Sequence, residues 1–177
     1  MHVALGATLG IVGWSGSGKT TLILSLLKIF HAAGLRVSTI KHSHHGIELD
    51  HPGKDSYLHR TAGAAEVMLA TPDRWFLMKD HHGDREPELQ DLISRMGPVD
   101  LILVEGFKTA AIPQIEVHRP HLAQPLFATD HGRLLATASD DPALTCDGRP
   151  VLPLNDPEHI AAFIADHFRL KISLKSP

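Results

Sequence analysis

With one cysteine, Cys146, in 177 residues, the chain has no partner for an intrachain disulfide and carries no mark of an oxidising compartment. No apolar stretch approaches the roughly 18 to 20 residues that a membrane span needs. Even Thr21 to Ile29 is broken by Ser25 and Lys28. The formal net charge is −3 and no basic run could follow a phosphodiester backbone, which argues against nucleic acid as the main partner. Met1 to Gly10 has no basic segment before its apolar residues and reads as a strand, not a signal peptide. Neither repeats nor low-complexity linkers divide the chain. One domain over residues 1–170 with a loosely ordered tail at 171–177 is the expected organisation, in a cytoplasmic protein.

What is present alternates between strands and helices. Thr8 to Val12 is a short apolar run ending in glycine, and Lys19 to Ala33 carries Leu22, Leu26, Ile29 and Ala33 at helical spacing. Gly34 suits a helix end, and Leu35 to Ile40 reads as a second strand, completing a βαβ unit whose strands should be parallel. A polar loop follows from Lys41 to Lys54, then a short helix opened by Asp55 or Ser56. Val67 to Ala70 and Arg74 to Met78 flank a Thr-Pro-Asp turn and read as a hairpin at the sheet margin. Glu86 to Met96 has helical spacing, and Val99 to Val104 is a nearly continuous apolar run, the signature of a buried central strand. Ile112 to Val117, Leu134 to Ala138 and Val151 to Leu154 add strands, and Asp156 caps a helix from Pro157 to about Phe168. The pattern predicts an α/β fold of three layers around a mostly parallel sheet.

Between the first strand and the first helix stands Gly13-Trp14-Ser15-Gly16-Ser17-Gly18-Lys19-Thr20. It matches the P-loop pattern of glycine, four residues, glycine, lysine and a hydroxyl residue, in the strand-to-helix context the motif requires. Its glycines let backbone N–H groups turn inward on phosphate oxygens, and the helix adds its positive end. Gly13, Ser15, Gly16, Ser17, Gly18, Lys19, Thr20 and Thr21 are the expected nucleotide contacts. Lys19 should reach the β- and γ-phosphates, and Thr20 should ligate Mg²⁺. Glu105, delivered by the apolar strand to the ligand edge of the sheet, is the expected second metal residue, and Asp100 at the other strand end is structural. After a late strand, Thr137-Ala138-Ser139-Asp140-Asp141 offers Asp140, whose carboxylate suits the N1 and N2 donors of guanine; adenine offers no such pair. That places GTP ahead of ATP.

Four stretches together carry a family resemblance: the P-loop through Thr21, Thr39-Ile40-Lys41-His42-Ser43-His44-His45, Asp50-His51-Pro52-Gly53-Lys54-Asp55-Ser56, and Val104-Glu105-Gly106-Phe107-Lys108. In this order they resemble molybdopterin-guanine dinucleotide biosynthesis protein B, MobB. The resemblance implies a GTP-binding homodimer with weak Mg²⁺-dependent GTPase activity. Such a protein would be an accessory to the MobA-like guanylyltransferase that joins GMP to molybdopterin, with molybdopterin as a further candidate contact, and not the transferase itself. It also implies phosphate or partner contacts at His42, Asp55 and Lys108, and a protein that stands alone without a fused transferase.

Histidine is abundant, with 14 in the chain. His42, His44 and His45 fall where the second strand ends, but an extended His-Ser-His-His string alternates faces and cannot bring all its rings onto one metal. His81-His82, His118, His121 and His131 read as solvated positions. No glutamine or arginine is clearly placed to orient water or neutralise a transition state, which favours slow hydrolysis; Arg60 and Gln114 are the unassigned candidates. Two alternatives share the P-loop. A small-molecule kinase needs a lid rich in arginine, which the sequence lacks, and a GTP-dependent nickel metallochaperone needs a cysteine-histidine motif, which it also lacks.

Overall fold

Strand β1 (Ala7–Val12) leads through the glycine-rich loop into helix α1 (Lys19–Ala32), and β2 (Val37–Lys41) returns beside it. The computed structural model describes residues 6–43, 50–81, 85–127, 133–146 and 148–172. These fall into two compact units, one drawn from Met1–His42 and Leu89–Pro177, the other from Ser43–Glu88.

The first unit continues after the second with α3 (Leu89–Ser94), β5 (Leu101–Glu105), β6 (Gln114–His118), β7 (Leu134–Ser139), β8 (Val151–Pro153) and α4 (Pro157–Phe168). Its six strands lie in the order β2-β5-β1-β6-β7-β8, every pairing parallel. All strand C-termini therefore share one edge, where ligands bind in folds of this class.

The core is layered by the two-residue period of the strands. On β5, Leu101 and Leu103 pack on one face with Leu22, Leu26 and Phe30 of α1 and Ile160 and Ile164 of α4. Ile102 and Val104 pack on the other face with Leu89 and Ile93 of α3. That makes the three expected layers. The buried stripe of α1 is Leu22, Ile23, Leu26 and Phe30, so it is rotated from the expected Leu22, Leu26, Ile29 and Ala33. Helix α3 is shorter than the pattern from Glu86 suggests: Pro87 biases Glu86 away from helical backbone, and the helix begins two residues after that proline.

Ends form where the residues dictate. Gly34, at φ +83°, closes α1 by donating its N–H to the His31 carbonyl at 3.0 Å. Asp156 caps α4, its carboxylate accepting the His159 N–H at 3.0 Å. Asp100 is structural as expected, accepting the Arg36 N–H at 2.7 Å.

The second unit holds α2 (Asp55–Thr61) and an antiparallel pair, β3 (Val67–Ala70) with β4 (Trp75–Met78). The pair forms its own two-stranded sheet and does not extend the margin of the larger one, as the sequence pattern suggests it would. Arg60 of α2 donates to Asp50 at 3.0 Å and to Asp80 at 3.1 Å, tying the helix to the two ends of the unit. These bonds, Asp50 first, hold the guanidinium pKa above its ordinary value.

Candidate nucleotide site

The loop joining β1 to α1 takes its shape from glycine. A Cβ at Gly13 would lie 2.5 Å from the Val117 carbonyl oxygen, so the loop passes against β6 too closely for any other residue. Gly16 and Gly18 adopt φ of +77° and +99°, the left-handed backbone that curls the chain around an anion. A Cβ at Gly16 would meet nothing within 4 Å, so this glycine is set by its backbone angle and not by crowding. Lys19 crosses the loop and donates to the Trp14 carbonyl at 2.8 Å. Its ammonium thus stands over the cradle. Burial pulls the Lys19 pKa below the ordinary lysine value; Glu105 opposes this, while the positive Lys108 and Lys41 add to it. Such crowding of cations around one carboxylate favours a polyanion.

Thr20, in the first turn of α1, donates to the Glu105 carboxylate at 2.9 Å. Parallel pairing of β1 with β5 causes this meeting, because Ile11 stands in register with Glu105 and the chain then turns into α1. Lys41, in register with Glu105 from β2, forms an ion pair with the same carboxylate at 3.3 Å. A hydroxyl and a carboxylate side by side beside a phosphate cradle are the donor set for Mg²⁺ on a bound triphosphate. The residues present fit both a nucleotide and its metal. Ser15 and Thr21 lie on the loop and the first helical turn, and Ser17 is buried under it.

Trp14 departs sideways from the loop. Its ring stacks on Phe127 with centroids 5.0 Å apart, its indole N–H donates to the Pro125 carbonyl at 2.8 Å, and Lys108 stands 5.1 Å over its ring. Phe127 in turn donates its N–H to the buried Glu116 at 2.9 Å. Burial raises the Glu116 pKa; the Phe127 N–H and the charge of Arg149 work against that.

Of the remaining expected residues, His42 stacks on Phe107 at 4.5 Å, and a Cβ at Gly106 would come within 2.9 Å of its Cβ. Asp55 opens α2 in the second unit. Asp140 follows β7 and accepts a 2.6 Å bond from Arg119. Gln114 is buried, its amide donating to the Lys108 and Ala110 carbonyls at 3.2 and 3.3 Å, which makes it structural. His118 is not solvated as expected: it closes β6, a strand buried along its whole length, and is buried with it. His44, His45, His82 and His131, with residues 173–177 of the tail, lie outside the described residues. Among the described residues no three His, Cys, Asp or Glu side chains are grouped to hold a metal ion, and no helix is long and apolar enough to cross a membrane.

Sequence reasoning misses Arg119. It stands just past β6, donates from Nε to the Ser17 carbonyl at 3.0 Å, and joins the phosphate loop to Asp140. A polar residue directly after a strand at the ligand edge is the available signal. Beyond it, the ends of β7 and β8 border a cavity of about 430 Å³ lined by Ser139, Asp140, Asp141, Leu152, Pro153 and Asn155 among others.

Comparison with known proteins gives a consistent result. The family model described as "MobB: Molybdopterin guanine dinucleotide synthesis protein B" matches residues 8–140. A protein of Escherichia coli (strain K12) named molybdopterin-guanine dinucleotide biosynthesis adapter protein is 43% identical over 163 residues, spanning 89% of this chain and 91% of its own length. One of the same name from Haemophilus influenzae is 42% identical over 159 residues, spanning 88% and 86%. A crystal structure of molybdopterin-guanine biosynthesis protein B superposes with a TM-score of 0.67 at 28% identity, over 90% of this chain and 99% of that one. The crystal structure of Bacillus subtilis MobB, at 24% identity, a TM-score of 0.70 and coverage of 93% and 99%, shares the fold.

Proposed function

This chain belongs to the MobB family and is an accessory protein of molybdopterin-guanine dinucleotide biosynthesis, and we propose that it serves by binding GTP with Mg²⁺ at the glycine-rich loop and hydrolysing it slowly. The observation that carries the reading is the bond of Thr20 to Glu105 beside the glycine-rich loop that Lys19 crosses to Trp14. Mg²⁺, when bound, would neutralise the β- and γ-phosphate oxygens. The chain's own residues supply the rest: loop N–H groups and Lys19 hold the phosphates, while Thr20 and Glu105 hold the metal in place.

Guanine is favoured over adenine because Asp140 borders the cavity past β7 and a carboxylate can accept the paired guanine donors while still accepting from Arg119. Slow hydrolysis is supported by the engagement of the two side chains considered for that step, Arg60 with two carboxylates and Gln114 with backbone carbonyls. His42, Asp55 and Lys108 are kept as contacts to phosphate or partner. The partner in this reading is a MobA-like guanylyltransferase in the cytoplasm, with molybdopterin as a further candidate contact. A homodimer is supported by the hairpin of the second unit, where Met68, Leu69, Trp75, Phe76 and Leu77 are exposed and, among the described residues, both edges of the two-stranded sheet are open.

The test is equilibrium binding of GTP and ATP, with and without Mg²⁺, to the wild-type protein and to Lys19→Ala. The expected result is a GTP preference that disappears with all nucleotide binding in the variant. Equal or tighter binding of ATP would overturn the assignment of the base and bring the kinase reading forward.

A further inference from the structure

A triphosphate in the loop has two ways to lie across the strand ends. Toward β5 stand Glu105, Thr20 and Lys41, the metal-binding and cationic side, so the terminal phosphate belongs there. Its nucleoside must then leave in the other direction, over the end of β6 toward β7 and β8. Arg119, directly after β6 and bonded to the loop at Ser17 and to Asp140 past β7, stands on that side.

Three features suit Arg119 to that encounter. Its guanidinium is fixed in plane by two bonds, to the Ser17 carbonyl and to Asp140. It packs on the loop, since a Cβ on Gly18 would sit 3.5 Å from both its Nε and one terminal nitrogen. Its charge is balanced by Asp140, and with the side chain 28% exposed it offers a flat face beside the cavity rather than a free cation. Planar guanidinium groups stack on aromatic rings, and stacking of this kind accepts any base.

Resting on the nucleotide reading above, we propose that Arg119 is a nucleoside-positioning residue, a platform that couples the phosphate loop to the sugar and base without choosing between bases. Base choice falls to the cavity beyond it, where Asp140 stands. The two roles separate by experiment: the platform should affect every nucleoside triphosphate and spare a ligand that has phosphates alone.

The measurement is calorimetric titration of the full chain with GTP, ATP and inorganic tripolyphosphate, all with Mg²⁺, for wild type, Arg119→Ala and Arg119→Lys. Arg119→Ala should weaken GTP and ATP by about tenfold each, as expected for loss of one stacking partner, and leave tripolyphosphate within about twofold. Arg119→Lys keeps a cation but cannot hold the planar two-bond geometry, so it should show the same selective loss and guards against an alanine variant that fails to fold. An equal loss for all three ligands would overturn the proposal and reduce Arg119 to a prop for the loop; so would no loss for any of them. A loss confined to GTP would also overturn it, by making Arg119 a base reader. Wild type that binds tripolyphosphate no worse than GTP would bring down the nucleotide reading itself, a result visible before any variant is made.

Discussion

At the scale of single residues, two carboxylates of the central sheet have opposite settings. Glu105 lies at a strand end, mostly buried, bonded to Thr20 and paired with Lys41. Glu105→Gln should therefore abolish the tightening of GTP binding by Mg²⁺ while leaving metal-free binding near the wild-type value, as read by titration with and without the ion. Glu116 lies fully inside, with one oxygen accepting from Phe127 and the other without a bond among the described residues. Its raised pKa means that the folded state takes up a proton at a pH where the unfolded chain does not. Ionised Glu116 thus lowers stability above its folded pKa, and that loss is recovered as pH falls toward the ordinary carboxylate range. Glu116→Gln should melt higher than wild type at a pH of about 8, with the gap closing by about pH 4, as followed by circular dichroism. A gap independent of pH would mean the carboxylate is not what differs. The placement of single residues is legible in the sequence where a motif fixes it, as with Lys19 crossing the loop and Thr20 opening α1 beside Glu105. Arg119 is not, because its meaning depends on β6 lying next to β1, an adjacency no local pattern carries.

At the scale of elements, most of the fold can be read because the signals are chemical. Glycine follows β1 and α1, a nearly continuous apolar run marks β5 as buried on both faces, and Asp156 with Pro157 marks the start of α4. The cap is a measurable contribution: Asp156→Ala should cost about 1 kcal/mol. For a chain of this size the thermal midpoint should fall by about 2–4 °C for each such loss. Shorter elements are less legible. Helix α3 has only six residues, so one proline upstream moves its boundary by a large fraction of its length. The hairpin is recognisable as a pair, yet strand patterning cannot say which sheet a pair will join, and β3 and β4 join none but their own.

At the scale of the whole molecule, that two-stranded sheet cannot be self-sufficient, since two strands alone are marginal in water. In the dimeric reading a second copy covers it. Phe76, opposite Leu69 in the pairing, is exposed on it, and Phe76→Lys should shift the protein toward monomer in analytical ultracentrifugation. Wild type that sediments as a monomer at micromolar concentration would remove the basis for that expectation. The distribution of the chain's two tryptophans adds something practical. Trp14 is built into the phosphate loop against Phe127, and Trp75 stands in the hairpin, so each unit contains one natural fluorophore. A Trp75→Phe protein would emit from the loop alone and report the arrival of an anion as a change in its own light, whereas Trp14→Phe would leave an emitter that watches only the hairpin. The molecule can be interrogated one unit at a time without a dye.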